Sequence, residues 1–121
     1  MHDDFPLSRL LHLVKLLHLR TRHGSIEWKS STRKNYYLGG GEFRTSTPSA
    51  SIIIAFNGRK HSIRIMNEKG DVVSDYATSS GSFEHLELDS ELERLYELVH
   101  AETLRVDESI ERVIRDLESG L

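Results

Sequence analysis

Near the start of the chain, Leu7, Leu10, Leu11, Val14 and Leu17 recur three and four residues apart, the spacing that stacks side chains on one face of an α-helix. The pattern predicts a helix from Pro6 to about Arg22. Pro6 suits a first helical position, where its missing N–H costs nothing, and Asp3 and Asp4 sit where the positive end of the helix dipole favours anions. Gly24 ends the run. Three more leucines, Leu13, Leu16 and Leu19, widen the apolar surface beyond what one sheet face covers. That excess marks them as a contact surface for another helix or a second protein.

From Ser25 to Ala77 the period changes to two. In SIEWKSS, Ile26 and Trp28 alternate with Glu27 and Lys29; NYYLGG and GEFRTS follow; then comes ASIIIAFNGRKHSIRI, a hairpin pattern around Asn57-Gly58. A two-residue turn sets Ile52 opposite Ile63, and a four-residue turn sets Ile52 opposite Ile65. Both keep Ile52, Ile54, Phe56, Ile63 and Ile65 on the buried face, and Ser51, Ile53, Lys60, Ser62 and Arg64 on the other. NEKG makes a second turn, with Gly70 in the left-handed conformation, into DVVSDYA. Whether Val72 or Val73 points inward depends on a bulge that the pattern leaves open. Gly39, Gly40 and Gly41 have strand signals on both sides and no Gly-Lys-Ser/Thr ending, so they read as a strand connection rather than a phosphate loop.

After the Ser/Gly linker ATSSGS the helical period returns. Ser90 with Glu93 matches a capping box, and Leu92, Leu95, Tyr96 and Val99 form an apolar face. Asp107 reads as the cap of a further helix carrying Ile110, Val113, Ile114 and Leu117, with Gly120 past its end. Two antiparallel helices are predicted to close the chain.

Composition narrows the class. A chain of 121 residues buries roughly two-thirds of its unfolded surface in one core without staples. The absence of cysteine excludes disulfides, thiol catalysis and thiolate metal sites, and fits a reducing cytoplasm. The N-terminus opens with acids and interrupts its leucines with His and Lys, unlike a signal sequence, and the apolar runs are far shorter than a bilayer span. The net charge of −3 divides unevenly: 11 of the 16 bases precede Asn67 and 15 of the 19 acids follow it. Such halves attract one another within a fold or present a basic face to a polyanion.

Candidate chemistry is sparse. Glu97 and His100 have the Glu-x-x-His spacing of carboxylate-bridged metal bundles, but only one such motif occurs and it turns away from the apolar stripe, as a solvated face does. No His-x-x-x-His pair and no Gly-x-Ser-x-Gly elbow is present, and His61 reads as a core-edge residue. Lys29, Arg33, Lys34, Arg44, Arg59, Lys60 and Arg64 lie on or beside strands with Trp28, Tyr36, Tyr37 and Phe43 among them, a combination that binds single strands by charge and stacking. The acidic last segment would repel the DNA major groove, which excludes a helix-turn-helix reader.

Three segments, LYELVHAETLRVDESIERVIRDL, the tryptophan-bearing SIEWKSS and IRIMNEKGDVV, together resemble a recurrent class of small bacterial α+β proteins. The resemblance implies a layout of leading helix, β-meander and C-terminal helical pair and a bacterial or phage cytoplasmic origin; it brings no activity and no site residues.

The sequence thus reads as one α+β domain over 1–121: an antiparallel β-meander of four to five strands with an N-terminal helix and a C-terminal helical pair packed on one face. The leading functional expectation is a non-enzymatic cytoplasmic protein acting through protein–protein contacts, a second copy of itself included, with Leu13, Leu16 and Leu19 as the interface. The alternative is single-stranded nucleic-acid binding through Lys29, Arg33, Lys34, Lys60 and Arg64. Neither requires a cofactor, a metal or a membrane.

Overall fold

A computed structural model describes residues 7–30, 41–78 and 85–120, with 106 and 107 described by their backbone alone. The leucine stripe winds into α1, Leu7–Arg22, whose Leu10, Val14 and Leu17 are buried. Gly24 stops the helix at φ 74°, a left-handed conformation that costs other residues more. The chain then turns back along the helix. Thr21 Oγ1 donates to the Leu17 carbonyl at 2.6 Å and accepts from Trp28 Nε1 at 2.9 Å, which anchors the tryptophan over the end of α1.

Five antiparallel strands follow in simple meander order: β1 Lys29–Ser30, β2 Gly41–Thr47, β3 Ala50–Phe56, β4 His61–Asn67 and β5 Val72–Ala77. Two cross-strand rows carry most of the sheet's share of the core. One runs Phe43, Ile54, Ile63, Tyr76; the other runs Thr45, Ile52, Ile65, Ser74. The β3–β4 turn takes the four-residue register, with Ile52 opposite Ile65. The reason is local: Asn57 Oδ1 accepts from the Arg59 and Lys60 amides at 2.9 and 2.8 Å, which closes the longer loop. Asn67 does the same in the next turn, accepting from Lys69 and Asp71. The register then shifts between Ile65 and Met66, which faces Val72. Val72 and Val73 are both exposed on the edge strand, so neither enters the core.

The last element is α2, Leu86–Glu118. The α+β layout is the one the periodicities predict. The C-terminal helical pair, however, consists of two pieces joined end to end in one helix, not an antiparallel hairpin, and only the first piece packs on the sheet. Nothing between His100 and Glu108 breaks a helix, since the segment has neither Gly nor Pro, and an Asp stops a helix only where the backbone also leaves it. The start differs too. Ser90 and Glu93 lie inside α2, which begins after His85 with Glu87 and Asp89 at the positive end of its dipole.

Helix α1 and the first half of α2 cover one face of the sheet. Leu88, Leu92, Leu95, Tyr96 and Val99 meet the α1 stripe and the two strand rows in one core cluster. Tyr76 donates its hydroxyl to the Asp89 carboxylate, which ties the start of α2 to β5. Burial, and then this carboxylate, push the Tyr76 hydroxyl far above its ordinary value. At the other side of the sheet Gly41 lies so close beneath α2 that a Cβ there would stand 2.9 Å from the Tyr96 hydroxyl. Gly39 and Gly40 lie outside the described residues.

Candidate interaction surfaces

The feature that sets this molecule apart lies along α2. Five turns of helix, about 18 residues, return a side chain to the same azimuth. Leu92, Leu95, Tyr96 and Val99 are therefore matched, one for one, by Ile110, Val113, Ile114 and Leu117. The first four are buried. The second four, on the same face of the same helix, are 54%, 57%, 42% and 70% exposed. One apolar stripe thus runs from the core out into solvent. Surface helices of ordinary domains carry a polar outer half, whereas this stripe stays apolar where it leaves the core.

Charge is arranged around this stripe. Helical geometry puts Glu111 and Glu118 along one border and Asp116 along the other, while Arg112 and Arg115 fall on the opposite side of the helix. In the antiparallel pair that the pattern predicts, these residues line one side of a second helix. The signal for the exposed arrangement was the missing breaker between the two halves.

The three α1 leucines separate. Leu13 is half-buried and packs against the core, whereas Leu16 and Leu19 are 41% and 43% exposed on the outer face of the helix. Arg9 and Arg20 line one side of these two, and Lys15 and Arg22 the other; α1 has no acid. Lys15 bonds Glu87 at 2.8 Å, a link across the α1–α2 seam that raises the ammonium's pKa.

The second candidate surface is the face of the sheet that the helices leave open. Lys29, Arg44, Ile53, Arg64 and Asp75 stand directly opposite one another in one row across β1 to β5. Arg64 bonds Asp75 at 3.3 Å at the end of that row. Lys60 is exposed in the β3–β4 turn, and Arg33 and Lys34 lie outside the described residues. The described aromatics are elsewhere. Phe43 is in the core, Trp28 is half-buried against Thr21, and Phe56 stacks on His61 at 4.4 Å between centroids. Tyr36 and Tyr37 lie outside the described residues.

Where α2 leaves the sheet, Tyr96 is enclosed by rings: Phe43, Phe56, His61 and His100 lie 5.2–5.9 Å away. His100, of the Glu-x-x-His spacing, stacks on Tyr96, and Glu97 is exposed. Among the described residues no three His, Asp or Glu side chains gather to hold a metal ion. His61 is the core-edge residue expected. Burial holds its imidazole below the usual value, against the upward pull of Glu93 and Glu97. Between the lowered folded value and the ordinary one, the unfolded chain holds a proton that the folded chain lacks. Stability therefore rises with pH across this window and is lost on acidification below about pH 6.5. Thermal melts from about pH 7.5 to about pH 5 should show a shallower acid loss in His61→Phe than in the wild type; equal slopes would remove His61 from the account.

No described helix is long and apolar enough to cross a membrane. Compared with known proteins, the chain matches no protein-family model, and no curated protein or solved structure is significantly similar to it.

Proposed function

We propose that the protein is a non-enzymatic interaction module that works through protein–protein contacts, its contact surface being the distal stripe of α2 together with the outer leucines of α1. The observation that carries this reading is the continuity of the stripe. Residues that seal the core at Leu92 and Val99 recur in the same pattern at Ile110 and Leu117, where they stand in solvent. Exposed apolar residues of that number, in register, destabilise a free protein's solubility and are retained where a partner covers them. The cysteine-free composition fits a cytoplasmic setting.

The test is affinity capture from the source cells with the wild type and with Ile110→Glu/Leu117→Glu. Both sites are exposed, so the double variant should keep its fold. The expected result is a protein recovered by the wild type after nuclease treatment and lost with the variant. Recovery indifferent to the two substitutions would contradict the reading.

The second reading, binding of single-stranded nucleic acid, has the row Lys29, Arg44 and Arg64 on the open sheet face in its favour. It is distinguished in the same experiment, because RNA or DNA would then be recovered without nuclease and the stripe variant would retain it.

A further inference from the structure

We propose that the distal half of α2 docks on the outer face of α1 in a second copy of this chain, so that Ile110, Val113, Ile114 and Leu117 cover the partner copy's Leu16 and Leu19. The inference rests on the reading of the stripe as a contact surface, and adds who covers it and where.

Three observations select this occupant. The first is connectivity. Helix α2 runs without a break from Leu86 to Glu118, about 50 Å, so while it stays helical its distal half does not fold back onto the α1 of its own chain. That α1 is already packed against the proximal half through Leu10, Val14 and Leu17.

The second is charge. The distal stripe is bordered by acids on both sides, Glu111 and Glu118 on one and Asp116 on the other. The outer leucines of α1 are bordered by bases on both sides, Arg9 and Arg20 on one and Arg22 on the other, where Lys15 is already bonded to Glu87 of its own chain. An α2 stripe laid on another α2 stripe would set acid against acid. Two α1 faces laid together would set base against base. Of the three ways to pair these two apolar faces, only α2 on α1 brings opposite charges together on both borders.

The third is continuity of the packing mode. The distal stripe repeats the residues with which proximal α2 already grips an α1 helix within the chain, so the same helix would hold its own α1 with one half and the partner's with the other. Made reciprocally by two copies, the contact is used twice and closes into a two-fold dimer rather than a chain.

Sedimentation velocity of the full chain at low ionic strength, over a wide concentration range, tests this. The wild type is expected to form dimers that weaken as salt is added, because the bordering charges are exposed and screened. Glu111→Arg/Glu118→Arg alone and Arg9→Glu/Arg20→Glu alone should each weaken dimerisation roughly tenfold or more. The two pairs combined should restore most of it. All four positions are exposed, and circular dichroism of each variant reports whether its helices remain.

Two results would overturn the proposal. One is a wild type that stays monomeric to near-millimolar concentration. The other is dimerisation strengthened by Glu111→Arg/Glu118→Arg and indifferent to Arg9→Glu/Arg20→Glu, which would mean that stripes pair with each other. A monomeric wild type whose stripe still captures a different protein sinks this inference alone, whereas capture indifferent to the stripe sinks the reading beneath it.

Discussion

Leu92→Ala should lower the unfolding free energy by about 3 kcal/mol, and the same truncation at Ile110, five turns along the same stripe, by less than about 1 kcal/mol in the monomer. The two positions share a helix face and differ in surroundings. Leu92 is fully buried between α1 and the sheet, so removing its side-chain carbons loses their transfer free energy and leaves a cavity lined by core residues that cannot all collapse. Ile110 is 54% exposed. Its truncation gives up little buried surface, and alanine is the better helix former, which offsets part of the loss. Urea unfolding followed by circular dichroism at low protein concentration measures both. Comparable losses at the two sites would mean that the distal stripe is covered in the free chain, and the contact surface proposed above would disappear with it.

The elements of period two were the most legible. Inward and outward faces of β3 and β4 follow from alternation alone, because a change from a two-residue to a four-residue turn shifts the register without exchanging faces. The turn length itself depends on one side chain, Asn57, whose carbonyl oxygen satisfies two loop amides; a sequence pattern records that Asn is present, not which amides it takes. Val72 and Val73 show the same limit, since both are apolar and the bulge against Met66 leaves both at a solvent-facing edge.

The C-terminal segment shows where a local signal was outweighed. Asp107 has the chemistry of a cap, and the apolar residues after it have the spacing of a second helix. Whether such a residue starts a helix or sits within one is decided by the backbone on either side, and here helix-forming residues continue through it. Once α2 is one rod, residues expected to face a neighbouring helix face solvent. The α1 surface was readable in part. Leu16 and Leu19 are exposed as the surplus of leucine implies, but Leu13 lies nearer the azimuth of the buried stripe and packs against the core. The basic residues of the sheet were legible, but their alignment was not: Lys29, Arg44 and Arg64 are far apart in sequence, and only strand register lines them up.

The second large effect concerns backbone protection along α2, and it bears on the central claim most directly. A helix whose apolar face is not packed is held by its own hydrogen bonds alone, and an isolated segment of this length is marginal in water. Its amides therefore exchange by local fraying, while those of a packed segment exchange only in openings that approach global unfolding. Hydrogen–deuterium exchange of the wild type, read by mass spectrometry or NMR at low-micromolar and at near-millimolar concentration, separates the two halves. The account predicts strong protection of residues 88–100 at both concentrations. It predicts weak protection of residues 108–118 when dilute, rising together with that of α1 when concentrated. Equal protection of the two halves in dilute solution, or a distal half that stays unprotected at every concentration, would contradict it.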